Sequence, residues 1–169
     1  MPAKYVTPTV GMLGLVEDVA RVVRTGFTLG TVVLVLGEPP AALGSSEYTP
    51  QDARFPRFAL ASERRLTELL RVLATRRLLV SAQDVSDGGL AVALAECALL
   101  GECGATLRLQ AADMEVALFS EDQARAVITC SPQAVGAVVT LATQHGVAAM
   151  VAGRPTTSRR SPTSRYWQW

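Results

Sequence analysis

The chain of 169 residues carries 16 lysines and arginines against 15 acidic residues, and 49% of its residues are hydrophobic. This length fits one domain with a substantial core. The apolar stretches are too short to cross a membrane and the N-terminus lacks a secretory signal, so we expect a cytoplasmic protein. Three cysteines without CxxC spacing indicate neither a disulfide framework nor a zinc site.

The first half of the chain predicts two strands, a long loop and a helix. Residues 10–16 are apolar but contain two glycines, which favours a bent strand, and the β-branched run 31–36 predicts a buried strand. Residues 37–56 are rich in glycine, proline and serine, which is typical of a loop. Ser62 is placed to cap the next helix, whose apolar face carries Leu66, Leu69, Leu70 and Leu73.

The second half alternates short strands with apolar helices. Ser86 or Asp87 is placed to cap an apolar helix over 88–100, and Ser131-Pro132 is placed to start another that ends at Gly146. Strands are expected at residues 78–80, 106–109, 116–119, 126–130 and 147–151. The later strands are close enough in sequence to pair antiparallel with their neighbours.

This pattern predicts a single α+β domain over residues 1–153, with a mixed β-sheet and packed helices. Residues 154–169 contain four arginines and no acid, and they lack any helical or strand periodicity, so we expect a basic, irregular tail. A basic tail with aromatic residues can touch nucleic acid. So few charges are more typical of a solvated extension, and no nucleic-acid partner is expected.

Three polar clusters interrupt the apolar scaffold, at residues 44–48, 83–89 and 120–123. Carboxylates beside glycines and hydroxyls can hold magnesium and so organise a nucleotide, and a glycine turn before a helix can direct N–H groups at an anion. The candidate nucleotide- or phosphate-binding residues are Asp84, Ser86, Asp87, Gly88, Gly89, Ser120, Glu121 and Gln123.

Structural interpretations of these clusters stay open. Residues 83–89 also fit a helix cap whose glycines allow close packing, and residues 120–123 also fit a plain polar turn between strands. His145, the only histidine, falls at a predicted helix end, where capping is more typical than catalysis. Lys4 is the only lysine, and no Walker A loop, GxGxxG or HExxH motif is present. We therefore assign no catalytic and no metal-ligating residue.

Four segments resemble motifs of one family, in order and spacing: Thr7–Asp18, Leu43–Tyr48, Ser81–Glu96 and Leu118–Arg125. They are similar to the last domain of the phosphoribosylformylglycinamidine synthases, which belong to the aminoimidazole ribonucleotide synthetase-related superfamily. The similarity runs from Thr7 to about Gly153. It departs at Gln83, where the family typically has histidine, at Asp122, where it typically has serine, and in the tail.

The resemblance implies a C-terminal α+β domain of an ATP-dependent carbon–nitrogen ligase of purine biosynthesis. In the family, ATP phosphorylates the amide oxygen of formylglycinamide ribonucleotide, and ammonia derived from glutamine displaces the phosphate. ATP and Mg²⁺ would belong to the full enzyme. The implied partners are the remaining synthetase domains, a glutaminase subunit and a small accessory subunit. Because the family's ATP and substrate residues lie mostly in other domains, the isolated chain is expected to be inactive.

Two functional hypotheses follow. The chain is either a ligase fragment that gives wall and phosphate contacts to a composite site, or a non-catalytic scaffold that docks the glutaminase subunit. A third choice is the C-half of another superfamily member, such as aminoimidazole ribonucleotide synthetase, selenophosphate synthetase or the hydrogenase maturation factor. We also expect self-association of the free chain, because its apolar surfaces would be covered by other domains in a full enzyme.

Overall fold

A computed structural model describes residues 11, 13–44, 46, 48 and 59–157. Within these residues, one five-stranded sheet has the order β2-β4-β1-β5-β3. The strands are β1 (Val32–Leu36), β2 (Ser81–Asp84), β3 (Gly104–Leu107), β4 (Ala126–Cys130) and β5 (Ala149–Thr156). The helices are α1 (Leu60–Thr75), α2 (Gly89–Leu100), α3 (Met114–Phe119) and α4 (Val135–Gln144), with 3-10 turns at Val19–Arg21 and Pro132–Ala134. The predicted α+β class is confirmed.

The four strand ladders of the sheet are all antiparallel. Among the described residues, the parallel component of the expected mixed sheet is limited to one isolated bridge between Arg24 and Ser81. The later strands do not pair with their neighbours in sequence, contrary to expectation: β4 lies between β1 and β2, and β5 lies between β1 and β3. A helix follows β3 and another follows β4, so each of these strands finds its partners elsewhere in the chain.

The sheet is covered on both faces, which gives the domain three layers. Leu34 and Leu36 of β1 belong to a core shared with leucines of α1 and with α4. Val33 and Val35 belong to a second core, built mainly with α2. A strand buried on both faces needs apolar residues at every position, which explains why residues 31–36 show no polar alternation. Ser81 and Thr129, both buried, satisfy each other's hydroxyl groups at 2.7 Å.

The prediction of a strand at 116–119 is wrong, because these residues lie in helix α3. Asp113 caps this helix: its Oδ1 accepts hydrogen bonds from the N–H groups of Glu115, at 2.9 Å, and Val116, at 3.2 Å. An aspartate cap with a glutamate in the first turn is a recognised helix start. The short apolar run after it does not distinguish a strand from a helix by periodicity.

The helix caps predicted from hydroxyl and carboxylate residues also need correction. Helix α1 begins at Leu60, before Ser62, and its N-cap Ala59 makes no side-chain bond. The Ser62 hydroxyl accepts a hydrogen bond from the Arg65 guanidinium instead. Ser131 precedes a 3-10 turn that leads into α4, and its side chain makes no cap bond.

Several strand limits differ from the prediction. The ladder of β2 covers Ser81–Asp84 rather than 78–80, and β3 starts two residues earlier than predicted. Strand β5 extends through Thr156, so Arg154–Thr156 belong to the sheet and not to the tail. Arg154–Thr156 pair with β3, and the ladder between β5 and β1 ends at Gly153. Pro155 therefore has a strand neighbour on one side only, which suits a residue without a backbone N–H. Residues 158–169 lie outside the described part of the chain.

The N-terminal segment forms no strand in its described residues, against the prediction for 10–16. Residues 13–22 are mainly exposed, with Leu13 and Leu15 fully accessible to solvent. Its contact with the sheet is at Arg24, whose carbonyl accepts the Ala82 N–H at 2.9 Å. Among the described helices, none is both long enough and apolar enough to span a membrane.

Candidate functional site

Two of the three polar clusters meet at one edge of the sheet. Strands β2 and β4 are antiparallel neighbours, and Asp84 at the end of β2 pairs with Ala126 at the start of β4. The residues that follow β2 therefore lie beside those that precede β4. They line an open cleft of about 850 Å³, whose third wall is helix α1.

Five of the eight predicted site residues line this cleft: Asp84, Ser86, Asp87, Glu121 and Gln123. Asp84, Ser86, Asp87 and Gln123 are exposed, and Glu121 is half-buried. Gln83, where the family typically has histidine, lines the cleft as well. The sequence placed these residues in two clusters about 35 positions apart, and the antiparallel pairing of β2 with β4 brings them together.

The turn before α2 is capped by Glu121, which the sequence pattern does not link to this helix. Gly88, with φ of +79°, is the N-cap, and its N–H donates to Glu121 Oε1 at 2.8 Å. The predicted cap bonds from the side chains of Ser86 or Asp87 do not form; the Ser86 carbonyl accepts the Gly89 N–H instead. The carboxylate of Glu121 thus occupies a position where the helix favours negative charge.

Gly89 and Ser120 serve packing rather than lining the cleft. A Cβ on Gly89 would lie 2.7 Å from the Leu118 carbonyl oxygen and 2.8 Å from that of Ser120, so the two segments touch through their backbones. Ser120 is fully buried, and its hydroxyl accepts the Asp122 N–H at 3.3 Å. The close-packing interpretation of this glycine is therefore confirmed.

The cleft is acidic. Glu63 of α1 joins Asp84, Asp87 and Glu121 in its lining, and Glu63 Oε1 accepts the Ala124 N–H at 2.7 Å. Arg125 is the one cationic residue among the described lining residues. Glu63 lies in the first turn of α1, and nothing local in the sequence indicates that this helix faces the end of β2.

Arg125 is 5% exposed and is directed into the protein. Its two terminal guanidinium nitrogens donate to the carbonyl oxygens of Ser120 and Ala117, each at 3.3 Å. Burial lowers the pKa of this guanidinium, and the charge of Asp122 opposes that shift. Arg125 therefore does little to neutralise the acidic rim of the cleft.

The first polar cluster lies elsewhere, against helix α3. The ring of Tyr48 stacks on Phe119 with centroids 4.7 Å apart, and its hydroxyl bonds to the Glu115 carboxylate, which raises the pKa of Tyr48. The same loop is held where the Ala41 N–H donates to Asp122 Oδ2 at 2.8 Å. Ser45 and Glu47 lie outside the described residues.

The other titratable groups of the described residues do not assemble a second centre. His145 is the C-cap of α4, as predicted, and lines a surface groove with Arg71 and Arg76 away from the cleft. Cys97, Cys103 and Cys130 are free and buried. In the described part of the chain, no three histidine, cysteine or acidic side chains are close enough to hold a metal ion.

The fold and the sequence identify the family. Residues 28–162 match the AIR synthase related protein, C-terminal domain, and the chain belongs to this family. The phosphoribosylformylglycinamidine synthase subunit PurL of Caldanaerobacter subterraneus subsp. tengcongensis is 41% identical over 160 residues. That match covers 89% of this chain but 22% of the relative, so the chain spans about a fifth of the length of the curated relatives it matches.

Solved structures share the fold. T. maritima PurL complexed with ATP superposes with a TM-score of 0.68 at 24% identity, over 83% of this chain and 24% of that one. The structure of PurLQS from Thermotoga maritima gives a TM-score of 0.69 at 22% identity, with the same shares of the two chains. At these identities the similarity establishes the fold alone.

Proposed function

We propose that this chain acts as the C-terminal part of a phosphoribosylformylglycinamidine synthase. The reaction would be the ATP-dependent amidation of formylglycinamide ribonucleotide with ammonia derived from glutamine. Membership of the AIR synthase related family and 41% identity to 22% of a PurL subunit support this proposal. The small-molecule substrate and ATP would bind mainly to the preceding synthetase domains, in the cytoplasm. A glutaminase subunit and a small accessory subunit would complete the assembly.

The observation that carries the proposal is the convergence of five predicted site residues on one open cleft. Exposed Asp84 and Asp87 give this cleft its negative charge, while Arg125 is buried and bonded to carbonyls. Such a cleft repels a bare phosphate but suits one that already carries a magnesium ion. Mg²⁺ in nucleotide sites is commonly held by one or two carboxylates together with the phosphates.

The exposed carboxylates fit this role better than Glu121. Asp84 and Asp87 would hold the magnesium, which would supply positive charge to neutralise the phosphates. The amide of Gln123 can donate to a phosphate oxygen or accept from a ribose hydroxyl. Glu121 bonds to the Gly88 N–H, so its part is to hold the turn before α2 in place. The groups that carry out the amidation would come from the other domains.

Calorimetric titration of the 169-residue chain with Mg-ADP tests the cleft. We expect saturable binding that disappears when EDTA replaces the magnesium and that weakens at least tenfold in Asp87→Ala. Asp18→Asn, on an exposed turn outside the cleft, is the matched control and should bind as the unchanged chain does. Absence of binding by a chain shown to be folded by circular dichroism would contradict a nucleotide role for the cleft.

A chimera tests the enzyme assignment separately. Replacing the matched fifth of the Caldanaerobacter PurL subunit with this chain should preserve amidine formation from formylglycinamide ribonucleotide, ATP and ammonia. A folded but inactive chimera would contradict the assignment to this enzyme and would favour another superfamily activity, such as that of aminoimidazole ribonucleotide synthetase or selenophosphate synthetase.

The second candidate function is a non-catalytic scaffold that docks the glutaminase subunit. The bond from Gly88 to Glu121 and the backbone packing at Gly89 favour it, because both use the predicted phosphate-binding turn for structure. An active chimera whose rate is unchanged by Asp84→Ala and Asp87→Ala, and which still binds the glutaminase subunit, would select the scaffold.

A further inference from the structure

A second pocket, of about 460 Å³, lies on the α2 side of the sheet. Its walls come from the loop after β1, the loop between β3 and α3, and the start of β5. Most of the lining is apolar and includes Pro39, Pro40, Leu90, Leu109, Val116 and Met150. This volume and character are typical of pockets for small organic molecules, in which a few polar groups fix orientation.

Among the described residues that line this pocket, Arg125 is the cationic one, beside the acidic Glu38 and Asp113. Its side chain is buried, and within the described residues no ion pair joins it directly to a carboxylate, although the charge of Asp122 acts on the guanidinium. The two carbonyl bonds use two of the five guanidinium N–H groups. Burying a charge without a carboxylate in direct contact is costly, and burial lowers the pKa of this group.

We propose that this pocket binds an amphipathic organic monoanion, whose carboxylate pairs with Arg125 and whose aliphatic or aromatic body lies on the apolar lining. A guanidinium suits a carboxylate because its N–H groups match the two oxygens. Exposed Glu38 and Asp113 border the same pocket. Their negative charge disfavours a dianion such as a phosphate monoester, which is why a monocarboxylate is the class that fits.

This site is distinct from the acidic cleft, although Arg125 borders both. The proposal therefore does not depend on the proposed ligase function.

Titration of the 169-residue chain with 4-tert-butylbenzoate, followed by nuclear magnetic resonance, tests the proposal. The uncharged 4-tert-butylbenzamide and inorganic phosphate are the matched probes. We expect the benzoate to bind about ten- to hundredfold more tightly than the benzamide, which is the range for a hydrogen bond to a charged group. Phosphate should produce no shifts at the pocket residues.

Two variants locate the binding. Arg125→Met should abolish the preference for the charged probe, but it also removes two buried hydrogen bonds and can unfold the chain. Ala112→Trp obstructs the pocket from an exposed lining position and should weaken benzoate binding at least tenfold, while Ala20→Trp, at an exposed position outside the pocket, should not. Equal affinity for benzoate and benzamide, unchanged binding in Ala112→Trp, or no saturable binding would overturn the proposal.

Discussion

Two adjacent glycines at the turn before α2 are required for different reasons. Gly88 has φ of +79°, and a Cβ there would meet the side chain of Val92, including its Cβ at 2.9 Å. Gly89 has φ of +69°, and its Cβ would meet backbone oxygens, which cannot give way without moving two segments. The constraint at Gly89 couples α2 to the segment that carries Glu121.

Gly89→Ala is therefore expected to destabilise the chain by more than about 2 kcal/mol, the sum of backbone strain and a clash with backbone. Gly136→Ala, in helix α4 with nothing within 4 Å of the added Cβ, is the control and should stabilise by about 0.5–1 kcal/mol. Urea unfolding measures both. A loss below about 0.5 kcal/mol in Gly89→Ala would show that the two segments can separate freely.

The buried thiol of Cys97 should make the stability of the domain depend on pH in the alkaline range. Burial raises the pKa of its thiol to about 11, and the charge of Glu96 adds to the shift. An unfolded thiol titrates near 8.5–9, so the unfolded state loses its proton first. The stabilising contribution is complete below about pH 9 and is lost as the pH rises towards 11.

We expect the free energy of unfolding to fall between pH 9 and pH 11, and to fall less steeply in Cys97→Ala. The thiol pKa values of Cys103 and Cys130 are also raised by burial, so part of the slope should remain in the variant. Equilibrium unfolding at a series of pH values measures the slopes. Identical slopes for the two proteins would contradict the assignment to Cys97.

At the scale of elements, helix α1 shows what a sequence pattern predicts well. Leu66, Leu69 and Leu73 recur at helical spacing and are all buried against the sheet, and Leu70 packs beside them. The leucine pattern predicts which face of the helix is buried, but it does not predict where the helix begins. Ser62 is the predicted cap, whereas the helix begins at Leu60. Burial depends on many side chains, whereas a helix start depends on one or two local bonds.

Leu69→Ala should destabilise the chain by about 2–5 kcal/mol, because Leu69 is fully buried and the cavity would be only partly filled by its neighbours. Leu60→Ala, at a 69% exposed position of the same helix, should change stability by less than about 0.5 kcal/mol. Thermal and urea unfolding compare the two. Equal losses would mean that α1 is not anchored to the sheet through this face.

At the scale of the whole molecule, apolar surface is concentrated in the N-terminal segment. Leu13, Leu15 and Val19 are between 77% and 106% exposed, and α2 adds Leu99 and Leu100 at its end. Exposed apolar surface of this extent promotes association. The predicted self-association would therefore use these exposed side chains, which lie outside the two cores.

Sedimentation velocity should show the 169-residue chain associating as its concentration rises. The double change Leu13→Ser and Leu15→Ser should shift the distribution towards monomer, while leaving the unfolding transition unchanged, because neither side chain contacts a core. A chain that stays monomeric at all concentrations would contradict the prediction, as would a double variant that associates to the same extent.

Local patterns along the chain were enough to predict the class of fold, the buried strands at 32–36 and 126–130, the apolar face of α1 and the residue types of the site. Those features depend on periodicity and composition, which are local. Tertiary structure decided the strand order, the helix at 114–119, the inclusion of Arg154–Thr156 in the sheet and the cap that Glu121 places on Gly88. The strand order, the extent of β5 and the cap on Gly88 depend on contacts between residues far apart in the chain, whereas the helix at 114–119 begins at a local Asp113 cap beside an ambiguous apolar run. The cleft exists only because β2 and β4 pair antiparallel.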